Sequence, residues 1–324
     1  MCLALVVALC LASLFVGARA TTFSQVWEAI PGGFRYAFDP GAPADEFEML
    51  LGIQRLPRTL LALIAGTCLG AAGALTQAFT RNPLADPGIL GVTAGAAAAV
   101  ALAVSTGVTD SFVWPAILGA VLVTSLLFAL NSSGSPLTFV LAGMALSAVL
   151  MALVNALVLT NDEVLDAIRQ WATGSVAGRD FGTVEVTAPI GIVSLVAAIL
   201  LSPLVNLVLL GDATAQSLGV PVSAVQAGGV IVIAGLTGAA VAAAGPVAFI
   251  GLAAPHITRR LAGVDYRLIV PLSGLVGGVC ALLADILGRL LARPGELPMG
   301  IVLALLGVPI FILLVRGNKI GGNL

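Results

Sequence analysis

The chain has 324 residues, 59% hydrophobic and only 9% charged, with a formal net charge of −2. Soluble globular chains carry roughly a quarter charged residues, so that class is excluded, and the same scarcity of charge excludes a nucleic-acid surface. Apolar runs of the ~20 residues needed to cross a bilayer recur from end to end, and no low-complexity tail interrupts them; the pattern is that of an all-α, polytopic membrane protein.

Polar breaks divide the chain into about ten helices by periodicity and run length. They cover residues 2–20, 57–79, 88–106, 112–130, 138–160, 186–209, 224–244, 246–261, 267–291 and 296–315. The first run, MCLALVVALCLASLFVGARA, ends in a small-residue ARA site but lacks the positive n-region of a signal peptide, and it reads as a first membrane helix. The polar stretch 21–56 is too small and too rich in Gly and Pro to hold a core, so residues 1–324 read as one transmembrane domain. The four cysteines, Cys2, Cys10, Cys68 and Cys280, lie inside apolar runs without metal-like spacing and read as small core residues.

Several helices are crowded with Gly and Ala, and Gly66/Gly70 and Gly91/Gly95 form small-xxx-small pairs. In lipid, where apolar burial drives nothing, such faces let backbones approach closely and gain dispersion contacts. Between two of these runs stands RNPLADPGILG, Arg81 to Gly91. Pro83 and Pro87 stop one helix, Asp86 is placed to cap the turn, and Gly88 and Gly91 let the next helix start tightly packed.

Two short amphipathic segments lie outside the spans. In NDEVLDAIRQWATGSV, Asn161 is a good N-cap, Asp162 and Glu163 suit the positive dipole end and Arg169 the other. Val164, Leu165, Ile168 and Trp171 share one face, so a surface helix over about 162–173 is expected, with its tryptophan at headgroup level. In GDATAQSLGVP, Gly211 ends a span, Asp212 reads as an N-cap, and Gly219 reads as a left-handed C-cap before Pro221. The resulting helix of about six residues is too short to be stable alone, and must lean on its own bundle or on a partner.

The chemistry that is absent is informative. A P-loop needs the lysine of G-x-x-x-x-G-K-[ST], and the only lysine is Lys319, preceded by Asn318. The single histidine, His256 in LAAPHITRR, has no carboxylate or cysteine companions for a metal site. Asp285 is the one acid deep within a predicted span, and Arg289 lies at i+4, the favourable order for a helix salt bridge. No catalytic pair is visible for an enzyme, and a proton-coupled transporter would want more buried titratable groups. With the C-terminus inside, Arg81, Arg259, Arg260, Arg267, Arg316 and Lys319 fall on the inner side. Arg19, Arg35, Arg55, Arg58, Arg169, Arg179, Arg289 and Arg293 fall outside, so the positive-inside rule leaves orientation open.

Residues 55–96, RLPRTLLALIAGTCLGAAGALTQAFTRNPLADPGILGVTAGA, resemble the hallmark of the FecCD-type permeases, the membrane subunits of type II ABC importers for ferric siderophores, haem and cobalamin. The likeness continues in WATGS (171–175), LGDATAQSLGVP (210–221), GPVAFIGLAAPHITRRLAG (245–263), DYRLIVPLSGLVGG (265–278), LLADILGR (282–289) and ELPMGIVLALLGVPIFILLV (296–315). The first 50 residues match only as a generic helix and outer loop.

The resemblance implies a type II ABC importer permease fold of ten helices per subunit, with both termini cytoplasmic, in the cytoplasmic membrane of a bacterium. It implies a second permease subunit, identical or a sister chain, and two ATPase subunits that bind ATP and Mg, so that this chain needs no cofactor of its own. A substrate-loaded binding protein would dock outside, its acids meeting Arg55, Arg58 and Arg289; arginine forks suit carboxylates, and Asp285 would hold Arg289 in place. Residues 211–222 fall where the family places its coupling helices, with Asp212, Ala215, Leu218 and Gly219 the contacts. RNPLADP falls at the cytoplasmic gate, with Asn82 and Leu84 as gate residues and the SSGSPLT loop (132–138) opposite. The helix after Asn161 would line the outer mouth. The rival reading is a secondary transporter or channel working alone.

Overall fold

The computed structural model describes residues 2–17, 22–39, 41–108, 111–130 and 136–309. The helices in chain order are α1 (Cys2–Phe15), α2 (Phe23–Phe38), α3 (Glu46–Leu50), α4 (Leu56–Phe79), α5 (Val92–Ser105), α6 (Val113–Leu130) and α7 (Pro136–Thr160). They continue with α8 (Asp162–Trp171), α9 (Phe181–Leu209), α10 (Asp212–Ser217), α11 (Val222–Ala244), α12 (Ile250–Ala262), α13 (Tyr266–Leu291) and α14 (Met299–Val302). The fold of the described residues is all-α. Each of the ten predicted runs contains a helix among its described residues, the tenth only α14 and a π-helical turn at Leu303–Gly307; among the described residues five helices are both long and apolar enough to cross a membrane.

The bundle is organised around α4, which packs on α13, α11, α12 and α9. Glycine makes this possible. A side chain on Gly66 would collide with the Gly277 carbonyl of α13, one on Gly277 with the Gly66 carbonyl, and one on Gly70 with Ser273. The small-xxx-small pair is thus a backbone-to-backbone seam, the packing expected in lipid. α11 bridges to a second group, α5, α6, α7 and α8, which shares a cluster formed by Val100, Val104, Ile117, Trp171 and Val241. α7 presents most of its length outward, with Met144, Met151 and Leu159 exposed.

The eighth predicted run is resolved as two parts. Gly245–Phe249 is non-helical and α12 has 13 residues, about 20 Å at 1.5 Å per residue, short of a hydrocarbon core of ~30 Å. The stretch 21–56 differs from its sequence reading. It contains α2 and α3, and α3 runs through a π-helical turn at Leu51–Arg55 into α4, giving 34 continuous helical residues. Val26 and Ala29 of α2 bury against Leu14, Leu51 and Leu56, so the segment builds a satellite core with its neighbours rather than alone. Gly32 and Gly33 in α2 lie against Glu48 and Leu51, which is why helix-breaking residues sit mid-helix there.

Candidate functional site

At one end of the bundle, where α1 finishes and α4 and α9 begin, charged side chains of distant segments converge. Asp285 of α13 receives Arg58 Nε at 2.9 and 3.1 Å and pairs with Arg289 at 2.7 Å. Arg58 also pairs with Glu296. Asp285 and Arg289 are each 1% exposed, so the expected i, i+4 pair forms, inside the protein. Arg289 donates to the Ser13 carbonyl at 2.8 Å and Ser13 Oγ at 2.6 Å, and also to the Val16 carbonyl. Arg55 donates to the Leu14 carbonyl at 2.8 Å and Arg293 to that of Gly17 at 3.0 Å. Three guanidinia therefore satisfy the C-terminal carbonyls of α1, where a helix carries partial negative charge.

Of the three arginines read as docking forks, Arg55 and Arg289 are buried and committed to α1, and only Arg58 reaches the surface. Sequence spacing gave no hint of this, because the acceptors are main-chain carbonyls 41 and 276 residues away. The same end holds α8. Asn161 caps it as expected, its Oδ1 accepting from Glu163 N at 2.9 Å and Val164 N at 3.2 Å. Trp171, expected at headgroup level, is instead buried with Val164 against α5, because the helix lies on the bundle with those two side chains inward, while Leu165 stays exposed. A cavity of about 530 Å³ opens beside it, lined by Arg58, Trp171, Arg179 and Glu296.

At the opposite end lie the RNPLADP loop and α10. Asn82 Oδ1 accepts from Leu84 N at 2.9 Å, and Asp86 Oδ1 accepts from Gly88 N at 2.8 Å, so both short polar side chains close turns on themselves. Gly91 takes the left-handed conformation, φ 78°, that starts α5. Leu84 is left exposed and borders an open cavity of about 690 Å³ with Asp86, Met144, Ser147, Phe249 and Val308. Among the described residues the two non-glycine residues with positive φ are Arg81 and Phe249, one leading into this loop and one lining its cavity; backbone strain of this kind concentrates at working sites. Burial pushes the Asp86 carboxyl above the usual carboxylate range, with the Gly88 N–H opposing. Residues 132–135 of the SSGSPLT segment lie outside the described residues.

α10 is braced on the bundle by Ala215, fully buried among Val208, Val220 and Val225. Leu218 is exposed, and Gly219 has φ 81°. Gly211, not Asp212, is the N-cap: its φ of 107° suits only glycine. Asp212, the first helical residue, is free to reach Arg81, which it pairs with at 2.8 Å. The structure thereby joins two sequence-predicted sites, the loop and the mini-helix, through a contact the sequence did not signal. Among the described residues no three His, Cys, Asp or Glu side chains converge as metal ligands.

Comparison with known proteins adds to this geometry. The model of the FecCD transport family matches residues 5–317. The chain is 41% identical over 318 residues to the ferric enterobactin transport system permease protein FepD of Escherichia coli (strain K12), covering 96% of this chain and 92% of that one. It is 38% identical over 316 residues to the iron(3+)-hydroxamate import system permease protein FhuB of Bacillus subtilis (strain 168), covering 95% and 80%. Among solved structures, the inward-facing conformation of a metal-chelate type ABC transporter superposes with a TM-score of 0.86 at 30% identity, covering 98% of both chains.

Proposed function

The chain belongs to the FecCD transport family and is a multi-pass permease subunit of an ABC importer, and from that premise we propose how it works. Its cargo is a ferric siderophore or a related iron chelate, haem or cobalamin. It moves by alternating access, across the cytoplasmic membrane of a bacterium. Two separate ATPase subunits bind ATP and Mg and carry out all hydrolysis; this chain holds no cofactor. A second permease, identical or a sister chain, covers part of the exposed flank of α7 and completes the path. FepD, FhuB and the metal-chelate transporter, alike over nearly the whole chain, support the cargo class.

The end bearing α10 is then cytoplasmic and the end bearing α8 faces outward. α10 is the coupling element. Ala215 anchors it, Gly219 ends it, and Asp212 and Leu218 present its outer surface to the ATPase. Asn82 and Leu84 form the inner gate. The binding protein docks at the opposite end, with Arg58 as the contacting member of its arginines and Arg55 and Arg289 holding the scaffold beneath it.

The observation that carries this reading is the Arg81–Asp212 bridge, which ties the gate loop to the mini-helix. A lone transporter has no need of an exposed, punctuated mini-helix fastened to its gate. Replacing Leu218 with Asp tests it: co-purification of the ATPase with the permease should fall, while the permease itself remains folded. Undiminished co-purification together with full uptake would remove α10 from the coupling role.

A further inference from the structure

α2 lies at the end where α1 finishes and α4 begins, and it presents three different faces. Val26, Ala29, Gly32 and Gly33 are buried towards the satellite core. Ser24, Glu28 and Arg35 are exposed on a polar side. Between these two runs an aromatic stripe of Phe23, Trp27, Phe34 and Phe38, all exposed, with Phe38 at 72%. Their spacing of i, i+4, i+11 and i+15 keeps the four rings within an arc of about 60° at 3.6 residues per turn. A helix that only closed a loop would need a buried face and a polar remainder. Four rings on a third face call for an apolar partner outside the described bundle.

The stripe continues the apolar flank of α1. Leu3, Val7 and Leu11 are exposed in one i, i+4, i+8 row along that helix, and the next residue of the row is Phe15. Phe15 stacks on Phe23 with ring centroids 4.7 Å apart and planes 6° from parallel, and Phe23 stacks in turn on Trp27 at 6.1 Å. At the far end of α2, Phe38 meets Phe181, the first residue of α9, edge-on at 5.0 Å. The apolar row thus climbs the lipid-facing flank of α1, turns the corner and crosses towards α9. The polar side, with Glu28 and Arg35, is the one left to water or to a docking protein.

We propose that α2 is an interfacial anchor, lying flat in the headgroup–acyl boundary of the leaflet at the Arg58 end, with the phospholipid bilayer as its partner. Its 16 residues rise about 24 Å, short of the ~30 Å needed to cross. Aromatic rings settle at headgroup depth, and an amphipathic helix lies there with its apolar side in lipid and its charged side in water. The anchor bears on the network beneath it. Gly32 and Gly33 rest on Glu48 and Leu51, and Leu51 opens the π-helical turn that ends at Arg55. The depth of α2 therefore sets the height of Arg55 and of the α1 carbonyl that Arg55 holds. The leaflet is the outer one on the permease reading; the lipid contact stands without it.

The test uses the full chain in phosphatidylcholine nanodiscs, with whatever subunits co-purify. Trp27 emission is isolated as wild type minus Trp27→Phe, a substitution that keeps an aromatic ring in place. The quenchers are lipids brominated near the headgroup, lipids brominated near the chain ends, and aqueous iodide. Trp27 emission should lose roughly half its intensity with the shallow bromine, as a ring at headgroup level requires, and distinctly less with the deep bromine or iodide. Glu28→Trp in the Trp27→Phe background places a ring on the polar side; its emission should be lost to iodide and spared by both brominated lipids. Quenching of Trp27 by iodide alone would put the stripe in water or on a soluble partner, and overturn the anchor. Strongest loss with the deep bromine, or indifference to all three quenchers, would overturn it too, the first by a spanning helix and the second by another protein chain. The expected quenching in a chain that transports without any ATPase would refute the permease reading and leave the anchor standing.

Discussion

Arg81 and Asp212, 131 residues apart in sequence, meet at 2.8 Å and fasten the RNPLADP loop to the six-residue helix α10. Both side chains are about half exposed, so the pair adds little to stability, about 0.2–1 kcal/mol by the record of exposed ion pairs. On the coupling role proposed for α10, its consequence would be mechanical: a displacement of α10 would reach Asn82 and Leu84 through this contact.

That contact predicts a charge-swap result. Asp212→Arg should leave the melting temperature nearly unchanged yet lower chelate uptake per ATP hydrolysed several-fold. The double variant Arg81→Asp, Asp212→Arg should recover most of the ratio. A double variant no better than the single one would show that the bridge transmits nothing.

The buried triad predicts the opposite balance. Asp285→Asn leaves Arg58 and Arg289 facing each other without their shared carboxylate. Breaking a buried pair costs about 3–5 kcal/mol, so thermal unfolding in detergent should begin far earlier. Arg293→Ala, which removes only a more exposed bond to the Gly17 carbonyl, should have a small effect by the same measurement.

The glycine seam gives a paired prediction. At Gly66 an added methyl meets the Gly277 carbonyl and the Ala281 side chain, so Gly66→Ala should destabilise by roughly 1–3 kcal/mol, the cost of overpacking. At Gly228 of α11 the nearest atom to an added methyl is Leu201 Cδ1 at 4.0 Å. There Gly→Ala should stabilise by about 0.5–1 kcal/mol through helix propensity. Melting curves of the two variants should move in opposite directions.

Asp86 predicts a pH dependence. Burial raises its folded-state pKa above the unfolded value, which is about 4. Between those two values the folded state binds more protons than the unfolded one, so stability falls as pH rises through that window. Below it the penalty is absent. Asp86→Asn keeps an oxygen for the Gly88 N–H and removes the charge. The variant should therefore melt higher than wild type at neutral pH, with the difference vanishing near pH 4.

Features set by neighbouring residues were legible in the sequence. The Asn161 cap, the Asp86 turn, the left-handed Gly219 and the small-residue faces all depend on residues within a few positions. Features set by distant partners were not. Pro31, Gly32 and Gly33 hide α2 because the surface that tolerates them, Glu48 and Leu51, belongs to the next helix. The burial of Arg55 and Arg289 depends on carbonyls at the end of α1. Asp212 looked like a cap because Asp favours that position; the φ of 107° at Gly211 shifted the boundary by one residue and freed the carboxylate for Arg81.

The central claim is that transport through this chain is powered by ATP hydrolysed in partner subunits. Its most direct test is radio-iron chelate uptake into proteoliposomes holding this permease, with and without its ATPase, binding protein and ATP. The account predicts accumulation only when all three are present. Accumulation by the permease alone, driven by a proton or sodium gradient, would contradict it.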